Sequence, residues 1–349
     1  MRFPANFDRM IPAIFGIAGT ELTADERAFF KDADPAGYIL FARNCDNPEQ
    51  LKRLTDNLRA LQGIEKTFIS IDQEGGRVQR MKPPHWSSYP AGEAFDRLYA
   101  LAPASAIEAA RVNAQAMAIE LASMGITVDF HAPLDVRRAE TDNVIGDRSL
   151  GSDPMQVAAL GRAVLDGMTS GGIAGCLKHM PGHGRATADS HKELPVVTAS
   201  AEELEVDVAP FRSLAAKASL GMSAHIVFEA WDAQRPATLS PTVIEDVIRT
   251  DIGFEGLLLT DDIDMQALDG SIPERAEKAL AAGCDIVLNC WAKMDDQTGI
   301  AERVGTMTDA KQAKLGLALE HTGVACDLSE HTELLVKRDA LLALEGEAA

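Results

Sequence analysis

Eight short apolar runs recur along the chain, at Ala13 to Ile17, Gly37 to Phe41, Thr67 to Ile71, Ile126 to Phe130, Ile173 to Leu177, Leu220 to Ala224, Gly256 to Thr260 and Asp285 to Asn289. Most are near-continuous rather than alternating, the pattern of strands covered on both faces. Between them the spacing becomes helical. Leu51, Leu54, Leu58 and Leu61 repeat along Pro48 to Leu61, and Ile107, Ala114, Met117, Leu121 and Met124 share one side of Ala104 to Met124. Other helices are marked at their ends. Asp153 before Pro154 supplies an N-cap and a preset first turn, with Gly171 and Gly172 as the stop. Ser200 and Glu203 fit a capping box ahead of a helix reaching Leu214. Ser240 and Pro241 open a helix carrying Ile244, Val247 and Ile248, and Pro273 to Ala282 precedes the last strand.

Strand then helix, about eight times over roughly 13 to 320 without a Ser/Gly/Pro linker, predicts a single-domain (β/α)8 TIM barrel, which closes every strand edge. A doubly wound open sheet shares the pattern, because periodicity does not report closure. His331 to Glu345 predicts a terminal helix packed outside the barrel, within a C-terminal extension over about 329 to 349 and with Gly346 as its stop.

Composition narrows the function classes. An apolar content of 46% supports a core along the whole length of 349 residues. Lys plus Arg total 33 against 53 Asp plus Glu, a formal net charge of −20, which disfavours nucleic acid and other polyanionic partners. The N-terminus lacks the apolar run of a signal peptide and no stretch is long enough to span a bilayer, so a cytoplasmic protein without membrane insertion is expected. Cysteines at 45, 176, 284, 290 and 326 are odd in number and irregular in spacing, as suits buried free thiols in a reducing compartment.

Candidate chemistry follows the strands directly, where barrels place it. The third run ends in IDQEGGRVQR: Asp72 and Glu74 stand at the exit, Gly75 and Gly76 permit a turn, and Arg77 and Arg80 can return toward an acid or a ligand. Asp72 is read as a ligand residue, against an acidic loop held by its own arginines. The fourth run continues as DFHAPLDV and DNVIGDRSLGSDP. His131 and Asp135 can face the mouth, and Arg148 either reaches it to fix vicinal oxygens or joins Asp147 or Asp142 in a surface network. The fifth run opens into KHMPGHGRATADSH. Lys178 is a donor to hydroxyls, beside His179, and Asp189 lies two residues from His191, close enough to favour its imidazolium and let it donate and recover a proton. Zinc on His179, His183 and His191 would need a helix that Pro181 and two glycines oppose, so no metal and no cofactor are expected. The seventh run delivers TDDIDM, in which Asp261 is the preferred nucleophile and Asp262 or Asp264 a helix cap, while His225 in SAHIVF forms a wall. A carboxylate nucleophile with a proton donor implies a retaining glycosidase. Metal-dependent hydrolysis and, through Lys178, Schiff-base chemistry stay open.

Taken together, IDQEGGRVQR, IGDRS, KHMPGHGRATADSH, MSAHIVF and TDDIDM resemble, in order, the bacterial β-N-acetylhexosaminidases of glycoside hydrolase family three, of the cytoplasmic cell-wall-recycling type, over about Ile14 to Asn289. The resemblance implies that Asp261 forms a covalent glycosyl-enzyme, that His191 with Asp189 as dyad partner is the acid/base on a closing loop, and that His183 organises that loop. It also implies that Asp72, Arg148, Lys178 and His179 hold hydroxyls of an N-acetylglucosamine ring. The substrate implied is a muropeptide, N-acetylglucosaminyl-1,6-anhydro-N-acetylmuramic acid with or without peptide, or another β-N-acetylglucosaminide. FHAP departs from the FAP form of many relatives, placing His131 where a small or apolar residue is usual. A histidine acid/base leaves room for a phosphorylase, and a noncatalytic sugar-binding barrel is the reading from another class.

Overall fold

A computed structural model of the chain describes residues 9–139, 141–190, 192–323 and 328–344. Among them ten strands form: β1 (Ile11–Gly16), β2 (Pro35–Leu40), β3 (Phe68–Ile71), β4 (Val128–Asp129), β5 (Ala174–Met180), β6 (Val196–Val197), β7 (Leu220–Ser223), β8 (Val227–Phe228), β9 (Leu257–Asp262) and β10 (Ile286–Asn289). Eight of these close into a parallel barrel in the order β1-β10-β9-β7-β5-β4-β3-β2, one for each apolar run, and the open-sheet alternative falls away. The remaining two, β6 and β8, pair only with each other and have no counterpart in the apolar runs.

The barrel sorts side chains by the two-residue period of the pleat. Phe68, Ala174, Cys176, Leu257 and Leu259 fill the interior, while Ile69, Ile71, Leu177 and Leu258 face the helices. Extending the interior set past the last apolar layer reaches Asp72 on the β3 side, Lys178 on β5 and Asp261 on β9. The inward positions therefore turn polar at one end of the barrel.

The helices follow the strands as α1 (Ala24–Ala33), α2 (Pro48–Gln62), α3 (Gly92–Leu101), α4 (Pro103–Ser123), α5 (Pro154–Ser170), α6 (Ala201–Leu214), α7 (Ile272–Ala282), α8 (Met294–Arg303), α9 (Asp309–Ala318) and α10 (Leu328–Leu342). Asp153 caps α5 by accepting from Met155 N and Gln156 N at 2.9 Å each. Ser200 and Glu203 form the expected box, with Ser200 N donating to Glu203 Oε2 at 2.8 Å. The segment after Ser240 departs from expectation: Val243–Asp251 is wound as a π-helix, with Ile252 N donating five residues back to Val247 O. Cys176, Cys284 and Cys290 are buried free thiols and Cys45 is half-buried, whereas Cys326 and Gly346 lie outside the described residues. No helix among the described residues is long and apolar enough to cross a membrane.

The terminal helix α10 docks on α4 through polar anchors. Arg338 is buried and donates to Ser88 O at 3.2 Å and Asn113 Oδ1 at 3.3 Å, with its guanidinium 5.8 Å from the Tyr89 ring centroid. Replacing it strands Asn113, buried inside α4. Arg338→Ala is expected to lower stability by about 2 kcal/mol in urea denaturation. Lys337→Ala, on the exposed side of α10, is expected to stay within about 0.5 kcal/mol; equal losses for the two would contradict this docking.

Candidate active site

The polar end of the barrel is built from β3 outward. After Asp72 the chain turns at Gly75 and Gly76, with φ of 99° and 55°, and Glu74 N donates to Val78 O at 2.8 Å. A side chain at Gly75 would place its Cβ 2.2 Å from Pro90 O, so both the conformation and the space require glycine. Gln73 seals the turn, accepting from Arg80 N and Met81 N at 2.8 and 3.1 Å. Arg80 thereby returns to Asp72, its Nη2 3.2 Å from Oδ2.

Glu74 is the centre of a buried ionic group. Arg148 donates to it with two parallel bonds, Nε to Oε2 and Nη2 to Oε1, both 2.8 Å. Lys178 Nζ lies 2.6 Å from Glu74 Oε1 and 3.1 Å from Asp72 Oδ1, and the Lys178 and Glu74 side chains are only 2% and 3% exposed. Burial alone would raise both carboxyls, but Arg148 and Lys178 outweigh it and hold Glu74 well below the ordinary range. Lys178 and Arg80 do the same for Asp72. Burial likewise opposes the Lys178 ammonium, and Glu74 and Asp72 overcome it. A Schiff base needs a neutral amine, so Lys178 is placed as a cationic donor. Arg148 joins neither Asp147 nor Asp142. Asp147 instead accepts from Arg77 Nε at 2.8 Å, and Asp142 turns onto Val144 N at 2.7 Å. Beneath the group Asp129 accepts from Gln73 N at 2.9 Å, and burial pushes its carboxyl well above the usual range.

The long loop after β5 is strapped down by Asp135, which is fully buried rather than facing the mouth. Its carboxylate accepts from His179 N (3.2 Å), His179 Nδ1 (2.8 Å) and His183 N (2.7 Å). Because an ionised carboxylate only accepts, His179 carries its proton on Nδ1. The Lys178–His179 and Met180–Pro181 peptides are cis. Gly184 passes so near the preceding loop that a Cβ would meet Val136 O at 1.9 Å. Farther along, Asp189 lies 3.1 Å from Lys192 Nζ, and Ser190 O accepts from Ala267 N at 3.3 Å, laying this stretch against the segment that follows β9. His191 lies outside the described residues. The far end of the loop is secured where β6 pairs with β8.

The three aspartates after β9 have separate surroundings. Asp261 is half-buried and accepts from Asp262 N at 2.8 Å. Asp262 turns aside to Asp264 N and Cys290 N, at 3.1 and 3.2 Å, and burial together with Asp264 pushes its carboxyl well above the ordinary range. Asp264 caps no helix. It accepts from Asn289 Nδ2 (2.7 Å), Cys290 N (3.0 Å) and Trp291 N (3.2 Å), joining the exits of β9 and β10, while α7 is capped by Ser271 and Glu274. His225 is fully buried rather than a wall: its ring bridges Thr238 Oγ1 at 2.8 Å and Asp262 O at 3.0 Å. A carbonyl only accepts, so the proton sits on Nε2 and fixes the backbone beside Asp261. Arg43 escaped notice in the sequence for want of a motif. It ties the exits of β1 and β10, donating to Ile17 O at 2.9 Å and Cys290 O at 2.6 Å. Among the described residues no group of three or more His, Cys, Asp or Glu is arranged to hold a metal ion.

Asp72, Lys178, His179 and Arg148 thus converge on the exits of β3 and β5, with Asp261 on the β9 side. That arrangement offers charge-assisted donors and acceptors to a polyhydroxylated ligand, with a carboxylate beyond them.

Comparison with known proteins places this geometry. Residues 11–321 match the glycosyl hydrolase family 3 N-terminal domain. The β-hexosaminidase of Alkalilimnicola ehrlichii is 40% identical over 283 residues, 80% of each chain. A Bordetella avium β-hexosaminidase is 37% identical over 283 residues, again 80% of each. The structure of NagZ from Neisseria gonorrhoeae in complex with N-trifluoroacetyl-D-glucosamine superposes with a TM-score of 0.85 at 32% identity, covering 97% of this chain and 98% of that one.

His183 supplies a pH test of the clamp. Burial, then His179, pushes its imidazole down to about 4. Above about pH 6.5 the ring is neutral folded or unfolded; from there down to about 4 the unfolded chain takes a proton that the native ring refuses, so stability falls with pH. Asp129 and Asp262, raised by burial, act in the opposite sense. The difference between parent and variant therefore isolates the histidine. The parent is expected to lose up to about 1.4 kcal/mol per pH unit relative to His183→Asn below pH 6.5 in urea melts, and parallel curves would refute it.

Proposed function

The chain belongs to glycosyl hydrolase family 3 and is a glycoside hydrolase of the β-hexosaminidase type, and on that premise we propose that it is an exo-acting retaining β-N-acetylglucosaminidase. The observation that carries the reading is the inward position of Asp261 above the last apolar layer of the barrel, with the Asp72, Glu74, Arg148 and Lys178 group on the exits of neighbouring strands. A sugar held through its hydroxyls by Asp72, Arg148, Lys178 and His179 can rest its anomeric carbon over Asp261.

Asp261 attacks C1 and displaces the leaving oxygen, which receives a proton from His191. The glycosyl-enzyme then yields to water, whose proton returns to His191, and two inversions leave the product in the β configuration. Asp189 orients the imidazole and stabilises its cation. An acylamino sugar bound by the gonococcal relative supports N-acetylglucosamine as the glycon. For the whole substrate we favour a muropeptide, N-acetylglucosaminyl-1,6-anhydro-N-acetylmuramic acid with or without its peptide, met in the cytoplasm.

The purified protein is expected to release nitrophenol from p-nitrophenyl β-N-acetylglucosaminide; a folded protein without that activity would overturn the reading. Asp261→Asn should reduce kcat by about 10^4-fold or more, and a fluorinated donor should label Asp261 in peptide mass spectrometry, label on Asp262 reassigning the nucleophile. His191→Ala should slow substrates with poor leaving groups by about 10^2- to 10^4-fold and activated aryl glycosides far less. Equal losses across that series would remove its role as the acid.

A further inference from the structure

No step of the proposed reaction uses His131, although it stands beside the residues that hold the sugar. It follows β4 directly, is 5% exposed, and the charged groups that bear on it are Glu74, Lys178 and Arg148. Its backbone is engaged, the carbonyl accepting from Cys176 N at 3.1 Å. Its ring is not. Nδ1 is buried without a hydrogen-bond partner, which leaves Nε2 as the nitrogen with access to the mouth.

The neighbours are committed elsewhere. Both oxygens of Glu74 are taken by Arg148 and Lys178, Arg148 Nη1 donates to Val144 O at 2.9 Å, and Lys178 also holds Asp72. Burial pushes the imidazole down to about 4, so at neutral pH the ring offers one N–H and one lone pair rather than a third cation. A buried polar atom without a partner is costly, and phenylalanine or leucine would fill the same volume without that cost. A hydroxyl both donates and accepts, which suits a neutral imidazole.

We propose that His131 contacts the substrate, hydrogen-bonding a hydroxyl of the N-acetylglucosaminyl ring on the side held by Lys178 and Arg148, and so discriminates between hydroxyl epimers. This rests on the activity proposed above. His131 is then a specificity residue and takes no part in proton transfer at C1. The bond is made in the ground state and the transition state alike, so its loss raises KM and leaves kcat nearly unchanged.

The test compares p-nitrophenyl β-N-acetylglucosaminide with its galacto epimer for the parent, His131→Phe and His131→Gln, with calorimetry of N-acetylglucosamine binding alongside. His131→Phe is expected to raise KM for the gluco substrate about tenfold, with kcat within about twofold and a smaller gluco-to-galacto preference; His131→Gln, which keeps a polar group near Nε2, should recover most of the preference. Unchanged KM in His131→Phe, or equal losses on both epimers that Gln does not relieve, would overturn the contact. If the parent turns over neither epimer, the proposed activity falls, and calorimetry still decides the contact: weaker sugar binding by His131→Phe upholds it and equal binding removes it. Should His131→Phe fail to fold, His131→Ala carries the same comparison: a raised KM with a smaller gluco-to-galacto preference upholds the contact, and an unchanged KM and preference overturn it.

Discussion

The structure depends on charges that no longer have water. Glu74, Arg148, Lys178 and Asp72 come from three separate places in the chain, the turn after β3, the long loop after β4 and the exit of β5, and each is tolerable only because the others are present. Removing one partner from a buried group of this kind costs about 3–5 kcal/mol, because the remaining charge is left without solvent or counter-ion. The group therefore works as a single unit that pins the two loops to the barrel. Under the proposed function this fixed geometry amounts to preorganisation, the side chains being ordered before a sugar arrives.

The loop after β5 is fastened at several points. Its first half is fastened by three bonds to Asp135, by Gly184 against Val136 and by Asp142 N on Ala186 O, and its far end by the pairing of β6 with β8. Between those fixed ends run Asp189 and His191. Among Glu74, Arg148, Lys178 and Asp72, cations and anions are paired locally, against a net charge of −20 for the whole chain.

The barrel was legible because its strands are apolar on both faces, a pattern that survives without knowledge of any contact. Asp261 and Lys178 were legible for a related reason: each is the first polar residue after such a run, and the pleat turns it inward. Pairing was not legible. Nothing in the spacing of Arg148 distinguishes Glu74, 74 residues away, from Asp147 beside it, because the deciding factor is burial of the turn at Gly75. Asp135 illustrates the same limit, for a carboxylate after a strand reads as facing the mouth until the histidine loop is seen to lie on it. The π-helical winding of Val243–Asp251 likewise has no signature in the positions of Ile244, Val247 and Ile248, which serve either helix.

The aspartates of TDDIDM separate by parity and hydrogen bonding together, where either alone is ambiguous. Asp261 shares the inward parity of Leu257 and Leu259, so it continues the line of the barrel interior. Asp262 belongs to the opposite set, and its oxygen serves backbone amides from β10 and from its own loop. Asp264 accepts three donors from Asn289 to Trp291. Asp262 and Asp264 thus hold the exits of β9 and β10 together beside Asp261.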